Sequence, residues 1–198
     1  MGEIVLDALK ETLIMVFTST IFAVILGFIP AILLTVTAND GLKPNKIIYN
    51  ILDFIVNTLR SFPFVILMVI IVPLTRFIVG KSIGTTAAIV PLTIAAAPFV
   101  ARVIESSLRE VDKGVIEAAK AFGASNFQII FKVMLKEAIP SIMSGITLTI
   151  ISIVGYSAMA GAIGGGGLGD VAIRYGYQRF QTDVMVVTCI ILIPALIH

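Results

Sequence analysis

The sequence predicts an all-α membrane protein with five transmembrane helices. Of its 198 residues, 58% are hydrophobic and only 13% are charged, and the mean hydropathy is +1.07, whereas soluble domains are balanced far more evenly. A bilayer core of about 30 Å needs roughly 20 helical residues. Three stretches without any charged residue reach that length, namely residues 12–39, 82–101 and 138–169.

The first span is expected at residues 12–38, after an N-terminal extracytoplasmic segment of residues 1–11. Asn39, Asp40 and Gly41 interrupt the apolar pattern there. The second span is expected at residues 61–78. The apolar stretch before this span, residues 47–59, is interpreted as an interfacial or entering helix. Residues 60–63 interrupt the pattern between that helix and the span.

The remaining spans are expected at residues 84–103, 140–159 and 183–198. The third contains Pro91 and Pro98, which free backbone carbonyls that protein or a water-filled path must satisfy. The fifth is short for a span, so we expect a helix that would normally continue. No internal repeat or linker interrupts residues 12–198, which we expect to form one domain.

Lysine and arginine counts predict the orientation. Because five spans place the two ends on opposite sides, an external N-terminus puts eight of these residues in inner loops and five in outer segments. We therefore expect the N-terminus outside.

Composition and motifs exclude several classes of function. The net charge of +2 is too small to indicate nucleic-acid binding, and the single cysteine, Cys189, forms no disulfide framework or cysteine metal cluster. No metal cage, catalytic triad or pair of carboxylates is recognisable. Residues 164–169 match G-x-G-x-x-G but follow an apolar helix rather than a strand, and no phosphate-binding Gly-Lys-Ser/Thr occurs. We interpret this glycine run as a flexible external turn that lines an outer gate or meets a partner.

The longest charged stretch, residues 102–137, predicts a helical hairpin within residues 112–137. A short helix is expected at residues 114–122, ending at Gly123 in the left-handed conformation. Ser125 and Gln128 have capping-box spacing, so a second helix is expected to run to about Leu135, with the fourth span beginning at Pro140. Such a hairpin suits a groove on a partner protein, or lies on lipid headgroups; its residues alone leave both open.

Glu117, Ala118 and Ala119, followed after three residues by Gly123, resemble the coupling motif of type I ABC importer permeases. The proline that completes the motif in that family is missing here, where Lys136 stands. The resemblance implies that the hairpin couples the chain to an ATPase through Glu117, Ala118, Ala119, Gly123 and Ala124.

Further segments resemble the methionine-import permeases of that family: residues 60–64, 89–93, 96–102, 154–159, 164–169 and 175–177. This resemblance implies a homodimer of five-span subunits in the bacterial inner membrane. It also implies two cytoplasmic ATPase subunits, which bind ATP and Mg, and an extracytoplasmic methionine-binding lipoprotein. The chain itself would hold no cofactor, catalyse no reaction, and move methionine and related amino acids by alternating access.

Tyr156, Ser157 and Met159, near the external end of the fourth span, are candidates for the translocation pathway, as is Arg60. Ordinary helix packing explains the first three equally simply, and snorkelling to the interface explains Arg60 and Asp53. Alternative functions are a permease for another small solute, a passive channel or ion-coupled carrier, and a membrane-embedded enzyme.

Overall fold

The computed structural model describes the backbone of residues 2–197 and the side chains of residues 2–193, and every regular element in that part is helical. The predicted all-α class is confirmed. The helices are α1 (Gly2–Thr37), α2 (Lys46–Ser61), α3 (Phe64–Val79), α4 (Thr85–Arg109), α5 (Lys113–Ala121), α6 (Asn126–Gln128), α7 (Leu135–Ala162), α8 (Gly167–Val171) and α9 (Thr182–Ile197). Two π-helical stretches, Ile129–Met134 and Ala172–Tyr177, precede α7 and follow α8.

Three helices are long and apolar enough to cross a membrane: α1, α4 and the continuous helix Asn126–Ala162. Taken together, α2 and α3 are also long and apolar enough, although the chain bends by 108° at the break between them. They make a fourth membrane span if the pair is one span. The described apolar part of α9, Thr182–Ile193, is shorter. Length and composition thus support three or four spans, and the count of five stays a prediction. The predicted end of the fifth span at His198 lies outside the described residues.

The predicted interruption before the second span is observed between α2 and α3. Pro63 stands at the N-cap position of α3 with φ −59° and ψ 129°. Proline has no backbone N–H and disfavours helical geometry in the residue before it. The apolar chain therefore leaves α2 at Ser61 and begins a new helix at Phe64.

Two helices continue beyond the predicted spans. α4 continues to Arg109, six residues past the span predicted to end near residue 103, so Glu105 and Arg109 also lie on this helix. Ion pairs from Glu105 to Arg102 and Arg109, three and four residues away along α4, stabilise this charged extension.

The second helix of the predicted hairpin is also not separate, because residues 126–162 form one continuous helix. Pro140 lies inside α7 instead of beginning it. Pro140 and Lys136, four residues earlier, are both exposed. The carbonyl that loses its helical partner at this proline is therefore not enclosed in the protein interior.

The chain forms two compact units. The terminal unit contains the residues up to Ala23, Phe62–Ala96 and those from Thr149 onward. One cluster of its core is formed by Val5, Ala8, Leu168, Val171 and Val184.

The central unit contains Val24–Ser61 and Ala97–Leu148. Its core includes the fully buried side chains of Leu34, Val100, Ile104, Leu108 and Ile129. α1 and α4 pack closely in this unit, because a Cβ atom on Gly27 would lie 2.6 Å from the carbonyl oxygen of Ala97.

Candidate functional site

The predicted hairpin begins at α5, in the central unit. The Asp112 carboxylate caps this helix, since its Oδ1 atom accepts hydrogen bonds from the N–H groups of Gly114 at 2.7 Å and Val115 at 3.3 Å. These N–H groups have no partner within the helix, and an acidic cap also complements the helix dipole. The start of α5 is therefore fixed by a residue that the sequence analysis did not single out.

The turn after α5 has the predicted left-handed glycine. Gly123 has φ +78°, and its N–H donates to the Lys120 carbonyl at 2.9 Å. The Ala124 N–H donates to the Ala119 carbonyl at 3.1 Å. This pair of bonds is the Schellman arrangement, which satisfies the last carbonyls of a helix and reverses the chain.

The predicted capping box is also confirmed. The Ser125 N–H donates to Gln128 Oε1 at 2.9 Å, and the Gln128 N–H donates to Ser125 Oγ at 3.3 Å. The chain thus re-enters a helix three residues after Gly123, so the direction of both arms of the hairpin is set by local hydrogen bonds.

Apolar surface is exposed on the hairpin. No residue of α5 is buried, and the Phe122 and Phe127 side chains are 91% and 67% exposed. Exposed aromatic side chains on a rigid turn indicate a surface for a partner or a lipid interface. The structure places all five predicted coupling residues on this hairpin: Glu117, Ala118, Ala119, Gly123 and Ala124.

A cavity of about 120 Å³ lies beside α5, and its charged lining residues are Asp40, Arg109, Lys113, Glu117 and Lys120. The Asp40 carboxylate forms ion pairs with Arg109 Nη2 at 3.2 Å and with Lys113 Nζ at 3.5 Å. A backbone hydrogen bond and these two cations hold the pKa of the Asp40 carboxyl below its usual value, against the opposing effect of burial. Asp40 therefore stays ionised at neutral pH and links the α1–α2 connection to the base of the hairpin.

The four candidate pathway residues lie in different surroundings. In the terminal unit the Tyr156 ring stacks on Phe64, with centroids 4.9 Å apart, and the Met159 side chain is half exposed. Ser157 is buried and donates to the Val154 carbonyl of its own helix at 2.7 Å. Its hydroxyl already has a partner, which favours the packing interpretation for this residue.

Arg60 lies in the central unit, with its guanidinium 5.7 Å from the centroid of the Phe99 ring, an arrangement that supplies a cation–π contact. Asp53 contacts Arg102 of α4. This partner was not predicted from the sequence, because Asp53 and Arg102 are 49 residues apart along the chain.

The predicted flexible turn over the whole glycine run is wrong. Gly164, Gly166 and Gly167 have positive φ, as in a turn. Residues from Gly167 onward nevertheless form α8, and Gly167 and Gly169 are buried. A Cβ atom on Gly169 would lie 2.3 Å from the Ala158 carbonyl oxygen. Gly169 therefore serves close packing against α7 and Gly167 close packing against α1, rather than flexibility.

Two side chains of α1 hold α8, and the sequence analysis missed both. Glu11 Oε2 accepts a hydrogen bond from the Gly167 N–H at 2.7 Å, and Thr12 Oγ1 accepts one from the Leu168 N–H at 2.9 Å. They satisfy free N–H groups at the start of α8. The available signal was weak: Glu11 is the last charged residue before the first apolar stretch.

We predict that Glu11→Ala weakens the attachment of α8. Loss of a capping acceptor costs about 1–2 kcal/mol, so the purified protein should unfold at lower temperature in detergent. Hydrogen exchange at the Gly167 amide should accelerate as well. Glu11→Gln keeps an acceptor oxygen and should behave nearly as the unmodified protein, and Glu3→Ala, an exposed acid on the same helix, is the control. Equal exchange at Gly167 in the alanine variant and the unmodified protein would contradict the capping role.

Helical structure throughout the described residues, with apolar helices long enough to cross a membrane, defines an integral membrane protein, and its hairpin exposes apolar surface. Residues 23–198 match the family described as "Binding-protein-dependent transport system inner membrane component". The chain belongs to this family.

Individual relatives and a solved structure agree with that assignment. A Vibrio cholerae protein named "Probable D-methionine transport system permease protein MetI" is 51% identical over 97% of this chain and 85% of its own length. The "Methionine import system permease protein MetP" of Bacillus subtilis is 47% identical over 81% of this chain and 72% of its own length. A structure of inward-facing conformations of the MetNI methionine ABC transporter matches with TM-score 0.96 and 44% identity, covering 99% of this chain and 91% of that one.

Proposed function

We propose that the chain is the membrane-spanning permease subunit of an ATP-driven importer of methionine and related amino acids. The single observation that carries the proposal is the exposed hairpin, whose Schellman turn at Gly123 presents the family's coupling motif on a rigid support. The names of the relatives supply the substrate class.

The proposed assembly contains two copies of this chain, two cytoplasmic ATPase subunits and an external methionine-binding lipoprotein. ATP and Mg are bound by the ATPase subunits, and this chain catalyses no reaction. Each copy crosses the inner membrane five times with its N-terminus outside. In this arrangement α2 and α3 count as one broken span and α9 as the last.

The proposed mechanism is alternating access. ATP binding closes the ATPase subunits, the hairpin follows that movement, and the central path opens alternately to the binding protein and to the cytoplasm. Tyr156, Met159 and Arg60 are proposed to line the path, whereas Ser157 is buried and bonded to the Val154 carbonyl and is proposed to serve helix packing. Half-exposed Met159 and the stacked Tyr156 ring support these roles because solute paths are mostly apolar with few polar groups.

Reconstitution tests the proposal. The chain is purified with its ATPase, placed in proteoliposomes, and supplied with the binding protein and methionine. We expect ATP hydrolysis to rise when both are added, and labelled methionine to accumulate only with hydrolysable ATP. Uptake of a different amino acid in preference to methionine would identify another solute, and uptake without ATP would contradict the importer and favour a passive or ion-coupled carrier.

A further inference from the structure

We propose that two contacts between α2 and α4, Arg102 with Asp53 and Glu105 with Tyr49, transmit the movement of the coupling hairpin to α2 during transport. The inference rests on the proposed function, in which a partner ATPase moves the hairpin. These four side chains are positioning residues, since their task is to keep two helices together rather than to touch the solute.

Glu105 is the centre of the contact. It is only 3% exposed, and its carboxylate accepts hydrogen bonds from the Tyr49 hydroxyl at 3.3 Å and from Arg102 Nη1 at 2.6 Å. Arg109 Nη1 lies 3.6 Å from the same group. A buried carboxylate is tolerated only when it has such partners, so Glu105 fixes the relative position of the groups around it.

Arg102 extends the contact along α2. Its second terminal nitrogen, Nη2, contacts the Asp53 carboxylate and donates to Asn57 Oδ1 at 3.1 Å. Asn57 also donates from Nδ2 to Asp53 at 3.1 Å. The planar guanidinium thus joins an acid on its own helix to an acid and an amide on α2, which a flexible ammonium could not do with the same geometry.

The covalent chain connects this contact to the hairpin. α4 ends at Arg109 and α5 begins at Lys113, so only three residues separate them. A displacement of α5 therefore moves the end of α4 directly. Apolar contacts are non-directional and allow helices to slide, whereas separating shielded charges leaves an uncompensated charge. α2 must consequently follow α4.

A second set of ion pairs nearby is not shielded from solvent in the same way. Asp40 pairs with Arg109 and Lys113, but these three side chains are between 42% and 73% exposed. Exposed pairs contribute little and are screened by salt. By contrast, the side chains of Arg102 and Asp53, which join α4 to α2, are 20% and 35% exposed, and that of Glu105 is 4% exposed. The proposal therefore assigns the transmission to the shielded contacts.

The test measures methionine uptake and ATP hydrolysis in the same proteoliposomes containing the assembled transporter. Asp53→Asn removes the negative charge that pairs with Arg102, and Tyr49→Phe removes the hydroxyl that donates to Glu105, each with little change in shape. We expect each to lower the methionine taken up per ATP hydrolysed by about threefold or more. Arg102→Met should have a larger effect, and adding Asp53→Asn to it should lower the ratio no further, because both changes remove one interaction.

The matched control is Asp7→Asn, which breaks an ion pair with Lys10 in which both side chains are mostly exposed. It should leave the uptake per ATP unchanged. An unchanged ratio in assembled complexes of Asp53→Asn and Tyr49→Phe would overturn the proposal, even if their yield falls, since a purely structural role lowers only the yield. If the Arg102→Met complex does not assemble, the uptake per ATP of Asp53→Asn and Tyr49→Phe still tests the proposal. Failure of the unmodified complex to show ATP-driven uptake would refute the proposed function itself, which is a different result.

Discussion

Replacing Gly169 by alanine is expected to prevent normal folding of the terminal unit. A Cβ atom at this position would lie 2.3 Å from the carbonyl oxygen and 2.6 Å from the Cα of Ala158. Both neighbours belong to the backbone of α7, which cannot give way by changing a rotamer. Overpacking typically costs about 1–3 kcal/mol, and contact with rigid backbone places Gly169→Ala at the upper end or beyond. The yield of folded protein in detergent and its unfolding temperature measure the effect.

The control substitution lies in α7, the helix that Gly169 packs against. Gly155 lies in α7, and a Cβ atom there would meet nothing within 4 Å. Gly155→Ala should leave the folded yield unchanged or raise stability slightly, because alanine reduces the freedom of the unfolded chain. Comparable yields of the two alanine variants would show that α7 and α8 do not depend on backbone contact.

Replacing Gly123 by proline is expected to abolish coupling while the spanning helices remain inserted. Proline holds φ near −65° and has no N–H, whereas Gly123 has φ +78° and donates to the Lys120 carbonyl. The turn therefore cannot form, and the two arms of the hairpin must separate. We expect association with the ATPase, measured by copurification, to fall by about tenfold or more. The variant loses both the left-handed conformation of residue 123 and its hydrogen bond to the Lys120 carbonyl.

Asparagine distinguishes the shape of the turn from the identity of its residue. It tolerates the left-handed conformation better than other side chains do, and a Cβ atom at residue 123 would meet nothing within 4 Å. Gly123→Asn should retain most of the copurified ATPase and most of the uptake. A normal complex with normal uptake in Gly123→Pro would remove the hairpin from the mechanism.

Sequence reasoning succeeded where interactions are local and failed where they are not. The break before α3, the left-handed Gly123 and the capping box of Ser125 were predicted because each depends on neighbours within a few residues. The end of α4 was misplaced because charged residues at the end of an apolar stretch were interpreted as a loop. Glu105 pairs locally with Arg102 and Arg109 along the extended helix. The partners of Arg102 and Glu105 on α2, Asp53 and Tyr49, are 49 and 56 residues away along the chain, where no local pattern indicates them.

The glycine run illustrates the same limit. Six glycine-rich residues predict a flexible turn when considered alone, since glycine permits many backbone conformations. In the fold, Gly169 provides close contact with α7, and Glu11 caps α8, the helix that contains Gly169. Whether a glycine provides flexibility or allows close packing depends on the element that packs against it.

By itself the sequence determined that this chain is a helical membrane protein, where the chain breaks before α3 and turns at Gly123, and which segment resembles the family's coupling motif. These properties follow from composition, periodicity and short-range hydrogen bonds. Only the tertiary structure decided that Asp53 meets Arg102, 49 residues away, and that Glu11 meets Gly167, 156 residues away. The reason is that contacts between distant segments depend on which helix faces meet, and that is set by the packing of the whole unit rather than by any local pattern.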